Sequence, residues 1–158
     1  MSKYLLILLF AAITVASCGT SKKTTKTKKP EIHDELSQYP LNFMRSEYLS
    51  DVLDKATKDN KLVFVDMYAD WCAPCKVMDE ELYMNDDFSA IINKDFISYK
   101  VNVEKGNGSH LGTIFSVEVL PTILFLDADG NVLQRSDGAL SYSKFLEMAG
   151  RAVEASNH

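Results

Sequence analysis

The sequence predicts an α/β domain with a central mixed β-sheet flanked by helices. Three observations lead there. Apolar residues recur at helical spacing in several separated stretches. Between those stretches lie a continuous apolar run at residues 62 to 68 and an alternating one at 96 to 103, both strand-like. Near the C-terminal end, "TILFLD" and "NVLQR" flank Asp127-Ala128-Asp129-Gly130, a turn rich in residues that accept positive φ. Strands alternating with helices require a parallel βαβ crossover, and the closing hairpin adds antiparallel strands, so the sheet is mixed.

The elements follow in order. Tyr48, Leu49, Val52, Leu53 and Ala56 mark a first helix that "KDNK" ends with turn formers. The strand at 62 to 68 is interrupted only by Asp66. Val77, Met78 and Leu82, then Phe88, Ile91 and Ile92 after Asn85-Asp86-Asp87, predict a long helix broken or kinked near residue 85. The second strand sets Ile97, Tyr99, Val101 and Val103 on one face, and Ser98, Lys100 and Asn102 on the other. Gly106 to Gly108 loop into a short helix carrying Leu111, Ile114 and Phe115. After the hairpin, Ser141 caps a last helix with Tyr142, Phe145, Leu146, Ala149 and Val153 inward. No internal repeat is evident.

A chain of 158 residues with 46% hydrophobic content suits one domain with a true core. Its first residues do not belong to that core. Lys3, the apolar run at 5 to 13 and the small residues after it have the layout of a secretory signal, too short to span a bilayer. Val15-Ala16-Ser17-Cys18 resembles the lipobox of bacterial lipoproteins, which implies cleavage before Cys18 and its lipidation. Cleavage nearby with Cys18 a spare thiol, or an uncleaved anchor, are the alternatives. Residues 1–17 are thus expected to be a lipoprotein signal, 18–40 a lipidated N-terminus with a Lys/Thr-rich tether, and 41–158 the folded domain. Six of the 17 basic residues and none of the 22 acidic ones lie at or before residue 30, so residues 31–158 carry a formal charge of −11. The tether lysines either lie against anionic lipid or serve as a soluble spacer; both uses stay open. An acidic domain is a poor partner for nucleic acid, which rewards concentrated Lys and Arg.

The chemistry centres on "YADWCAPCK", where Trp71-Cys72-Ala73-Pro74-Cys75 follows the first central strand and opens a helix. A helix N-terminus favours thiolate over thiol through unpaired N–H groups and the macrodipole, which makes Cys72 the candidate nucleophile. Pro74 fits the first turn, and Cys75, one turn in, is placed for burial. Four uses of such a pair compete. Zinc needs further ligands, yet there is no second cysteine pair, and His33, His110 and His158 lack ligand spacing. Haem attachment wants histidine where Lys76 stands. A structural disulfide closing so short a loop restricts the unfolded chain little. A redox pair that opens and closes is what remains, and it needs no metal or organic cofactor.

The sequence resembles the thioredoxin family. "VDMYADWCAPCK" matches its strand, acidic residue and Trp-Cys-x-Pro-Cys-Lys arrangement, and "YKVNVE", "VLPTILFLDADGNVL" and "DGALSYSKFLE" follow in family order over roughly residues 60–155. The resemblance implies a thioredoxin-like fold, a redox-active Cys72–Cys75 disulfide, a Lys100 near the buried Asp66, and a cis Pro121 facing the cysteines. "YADWC", the long first helix and the lipoprotein setting also resemble the C-terminal domain of the bacterial transmembrane disulfide reductase. Ala73 replaces the glycine common in cytosolic thioredoxins, and Tyr68 stands where they often carry tryptophan.

Residue chemistry adds to this. A carboxylate inside an apolar run has a raised pKa, so Asp66 is the candidate for proton transfer to Cys75. Lys100 either pairs with Asp66 or points to water. Backbone groups at Leu120-Pro121 can hold a substrate strand by main-chain hydrogen bonds. Trp71 is expected to be apolar contact surface, while Asp70, Asp79, Glu80 and Glu81 read as a solvated face, and His110 as structural or exposed. The leading function is a membrane-tethered thiol:disulfide oxidoreductase in a bacterial cell envelope, its domain on the periplasmic or extracytoplasmic side. It would reduce protein disulfides and be recharged by a membrane-bound thiol donor. The alternatives are a disulfide oxidase or isomerase in extracytoplasmic folding, and a redox-silent binding module.

The lipobox resemblance carries a direct test. The mature protein is expected to begin at an acylated Cys18 and to partition with membranes, since two or more acyl chains anchor stably where one does not. Intact mass decides it, and an unmodified N-terminus at another residue contradicts it.

Overall fold

In the computed structural model, residues 34–157 are described. The signal segment, Cys18, His33 and His158 lie outside them, as does most of the tether. A 3₁₀ turn, Asp34–Gln38, precedes α1 (Leu49–Asp59), β1 (Leu62–Tyr68), α2 (Ala73–Met78), a π-helical turn (Asp79–Tyr83), α3 (Asp86–Asp95) and β2 (Phe96–Asn102). Then come α4 (Gly108–Ile114), β3 (Thr122–Leu126), β4 (Val132–Asp137) and α5 (Tyr142–Ser156). No helix among the described residues is long and apolar enough to cross a membrane.

The sheet runs β2-β1-β3-β4, with β1 parallel to β2 and antiparallel to β3, and β3 antiparallel to β4. It is the mixed sheet that the alternation of elements predicts. β1 is buried throughout its middle because helices cover both faces. Val63, Val65 and Met67 pack with Val52 and Ala56 of α1 and Leu111 of α4. Phe64 points the other way, into a cluster with Tyr83, Phe88, Phe125 and Phe145. Within it the Phe145 ring lies 5.0 Å from Phe64, 4.9 Å from Phe88 and 5.2 Å from Phe125, each edge to face. Such pairs add about 0.5–1.5 kcal/mol each beyond the area they bury.

Local chemistry explains the boundaries. Asn60 ends α1 in the left-handed conformation at φ 52°. Asn85 caps α3 by accepting from the Phe88 N–H at 2.9 Å, and Ser141 caps α5 as its position predicts, accepting from the Lys144 N–H. Asp127 accepts the N–H groups of Asp129 and Asn131 at 3.0 and 2.8 Å, which closes the β3–β4 turn.

The predicted helix does break near residue 85, where Asn85 caps α3, and its first half is α2 running into a π turn. Three expectations need correction. Val77 and Ile91, apolar positions of that pattern, are exposed at 48% and 47%, as is Ile114 at the end of α4 at 61%. Tyr48 does not belong to the inward face of α1 but sits exposed as its N-cap. Leu36 and Tyr39, expected in the tether, pack against the aromatic cluster. Phe43 adds a parallel bridge to Ser98, and the Met44 N–H donates to the Ser98 carbonyl at 2.7 Å.

Two substitutions separate the observed core from the helical wheel. Phe145→Ala should cost about 3–5 kcal/mol of unfolding free energy in urea. Ile91→Ala should cost under about 1 kcal/mol, since its side chain is half out of the core.

Candidate active site

β1 ends at Tyr68, and the chain turns through Ala69, Asp70 and Trp71 into α2, so Cys72 becomes the N-cap of that helix. Its Sγ accepts the Cys75 N–H at 3.2 Å, the place an N-cap oxygen takes elsewhere. Pro74 lies in the first turn, where a missing N–H is harmless. Cys72 and Cys75 form a disulfide, with Cα atoms 5.3 Å apart. Both are almost wholly buried, at 1% and 2% exposure, so Cys75 is buried as its position one turn into the helix predicts, and Cys72 is buried with it. Trp71 is 68% exposed beside them, its ring N–H donating to Glu104 at 2.8 Å. Asp70 is held in turn by Asn102 at 2.7 Å and Lys105 at 2.6 Å.

Pro121 is buried, and its bond to Leu120 is cis. Met67 of β1 is opposite Thr122 of β3, so Pro121 comes at the same end of the sheet as the cysteine loop. His110 is exposed on α4.

Behind the disulfide, Asp66 is opposite Lys100 across the parallel β1–β2 pair. Of the two alternatives left open for Lys100, the structure takes the buried one. Its ammonium donates to Asp66 Oδ2 at 2.5 Å and to Asp79 Oδ1 at 2.7 Å. It also lies 4.4 Å from the centre of the Tyr68 ring and 5.2 Å from that of Tyr83. Two carboxylates and the faces of two tyrosines therefore enclose one ammonium. Asp79 departs from the solvated face that its sequence neighbours suggest: one helical turn beyond Cys75, it is half-buried on the same side, while Glu80 and Glu81 are exposed. Asp66 Oδ1 and the Tyr83 hydroxyl are buried with no well-formed hydrogen bond.

The electrostatics follow from burial. Desolvation raises the Asp66 carboxyl above its ordinary range, and the pull of Lys100 offsets only part of that. Burial opposes the Lys100 ammonium, but Asp66 and Asp79 together outweigh it and hold its pKa above the usual value. Burial, then Asp79, pushes the Tyr39 hydroxyl up to about 12.

A cleft of about 270 Å³ reaches this centre, lined by Leu36, Tyr39, Tyr68, Cys75, Asp79 and Lys100 among others. It joins Cys75 to Lys100, and Lys100 carries the connection to Asp66. Sequence reasoning missed Asp79, Tyr83 and Tyr39. The signal that could have found two of them is the four-residue spacing of Cys75, Asp79 and Tyr83, which sets all three on one helix face. No cluster of candidate metal ligands occurs among the described residues.

The ionisation of Asp66 yields a stability test. A raised carboxyl pKa means the folded chain binds this proton more tightly than the unfolded chain, whose carboxyl titrates near 3.8. Above that value the folded state holds more protons, so stability falls as pH rises through the window up to the folded pKa. Asp66→Asn should therefore be more stable than the native protein in urea at about pH 8, with the gap narrowing toward about pH 4. A gap independent of pH would contradict this assignment.

Comparison with known proteins places the site in context. The family of thioredoxin-like domains matches residues 49–152. The thiol:disulfide interchange protein DsbD of Colwellia psychrerythraea is 32% identical over 101 residues, 61% of this chain and 17% of that protein. The chain thus spans about a sixth of the length of that relative. A thioredoxin of Mycoplasmoides gallisepticum is 29% identical over 99 residues, 61% of this chain and 89% of that one. Among solved structures, a candidate disulphide-isomerase from Bacteroides thetaiotaomicron superposes with a TM-score of 0.65 at 29% identity, covering 73% of this chain and 95% of that one.

Proposed function

The chain belongs to the thioredoxin-like domain family, and from that premise we propose that it is a thiol:disulfide oxidoreductase, tethered to a membrane through a lipidated Cys18, that reduces protein disulfides with the Cys72/Cys75 dithiol. The observation that carries this reading is the disulfide at the N-terminus of α2, with Cys75 sharing a cleft with Lys100, the ion-pair partner of Asp66.

In the reduced protein the Cys72 thiolate, favoured by the helix N-terminus and the Cys75 N–H, attacks one sulfur of the partner's disulfide. A mixed disulfide forms, and the partner's other sulfur leaves as thiolate. Cys75 then gives up its proton toward the cleft. Asp66 takes it, directly or through a water held beside Lys100. The Cys75 thiolate attacks Cys72 Sγ, the second partner thiolate departs, and the intramolecular disulfide remains. The partner has gained the two electrons that the dithiol has lost. A membrane thiol–disulfide donor, the chemistry named in the DsbD relative, restores the dithiol. The exposed Trp71 and the backbone ahead of Pro121 take the partner's strand, a mode nearly blind to side chains. The domain works on the periplasmic or extracytoplasmic side of the cell envelope.

The direction is reduction because neither Ala73 nor Pro74 brings charge to the Cys72 thiolate. Strongly oxidising members of the class owe their power to a stabilised reduced form. The likeness to a candidate disulphide-isomerase supports, as the second reading, an isomerase or oxidase in extracytoplasmic folding. Equilibration with glutathione separates the two, as a potential near the strong periplasmic oxidants belongs to oxidation.

Trapping tests the mechanism. With Cys75→Ser, the mixed disulfide on Cys72 should persist and be recovered with its partner on non-reducing gels. With Cys72→Ser, trapping should be lost. The reverse pattern would assign the nucleophile to Cys75.

A further inference from the structure

The segment from Phe115 to Pro121, between α4 and β3, is pinned by the end of β4 in a way the core does not require. Arg135 reaches across from β4, donating from Nη1 to the Phe115 carbonyl at 2.5 Å and from Nη2 to the Ser116 carbonyl at 3.1 Å. Its Nε donates to Asp137 at 3.0 Å, which fixes the plane of the fork. The Thr122 hydroxyl shares its proton between the Val119 carbonyl at 2.7 Å and Asp137 at 3.2 Å. The Gly138 N–H donates to the Pro121 carbonyl at 2.7 Å. Four carbonyls of a seven-residue segment are thus claimed by Arg135 and Gly138 at the β4 end and by Thr122. Ser116, whose carbonyl is one of the four, holds a left-handed φ of 50°, a conformation that serine rarely keeps unsupported.

Global stability does not account for such a device. The guanidinium and carboxylate are substantially exposed, where ion pairs contribute little. The register of β1 with β3 sets the held segment at the cysteine end of the sheet, and Val119 within it is 48% exposed. We infer that Arg135 is a positioning residue for partner recognition, its fork fixing the Phe115–Pro121 backbone in the shape that receives an extended protein strand. The inference rests on the strand-capture reading above. Arg135 lies outside the reacting centre, so exchange with a small disulfide, which needs only Cys72, does not depend on it. Lysine cannot replace it, because a point charge cannot engage two carbonyls and a carboxylate in one plane.

The test uses Arg135→Ala and Arg135→Lys in the full chain, with insulin as protein disulfide and dithiodipyridine as small disulfide. KM for insulin should rise about tenfold in R135A, the scale of losing a hydrogen-bonded charged group, with kcat nearly unchanged. R135K should recover little of this. The rate with dithiodipyridine and the glutathione equilibrium should stay at native values in both variants. A parallel loss on both disulfides, or unchanged KM for insulin, overturns the proposal while leaving the strand-capture reading intact. A native protein that reacts with dithiodipyridine but not with insulin overturns that reading, and the proposal with it.

Discussion

The pairing of β1 on both sides is the constraint from which the reactive end of this molecule follows. Its parallel register with β2 sets Asp66 opposite Lys100, and its antiparallel register with β3 sets Met67 opposite Thr122. A slip of one residue in either ladder would turn Asp66 to the aliphatic face and remove Lys100 from reach. Because helices cover both faces, the slip would also exchange aromatic for aliphatic side chains in two differently shaped clusters. The register is therefore enforced by packing, and the placement of the charges is inherited from it.

The inherited arrangement is costly. One buried ammonium faces two carboxylates, one of them fully buried, and the assembly lacks the balanced pairing that makes interior ions tolerable. A hydrophobic replacement of similar volume would serve the core as well. What such a replacement would lack is a titratable group behind Cys75, whose cleft Asp79 and Lys100 line. The aromatic rings around Lys100 temper the cost, since they offer its charge electron-rich faces where water is excluded.

The sequence disclosed the elements whose period is simple. The β1 run, the β3–β4 turn and the Ser141 cap were legible because each rests on a few adjacent residues. The cysteines stood out by spacing, and Asp66 stood out as the only charge in an apolar strand. Asp79 and Tyr83 were missed because three consecutive acids read as a solvated face, although both follow Cys75 at four-residue intervals. Leu36 and Tyr39 were missed for another reason. They follow a low-complexity stretch, and the composition of that stretch masks two apolar residues whose partners are far along the chain. Lys100 had two readings from sequence alone because strand alternation names a face without saying what covers it.

The short bridge between Phe43 and Ser98 has a consequence beyond the core it helps to close. An open sheet edge is a template for any extended chain. On the β2 side, the chain's own residues 43 and 44 occupy part of that template. On the β4 side, Arg135 and Asp137 place charge along the last strand. Both flanks thus carry features that discourage indiscriminate strand pairing and its growth into aggregates.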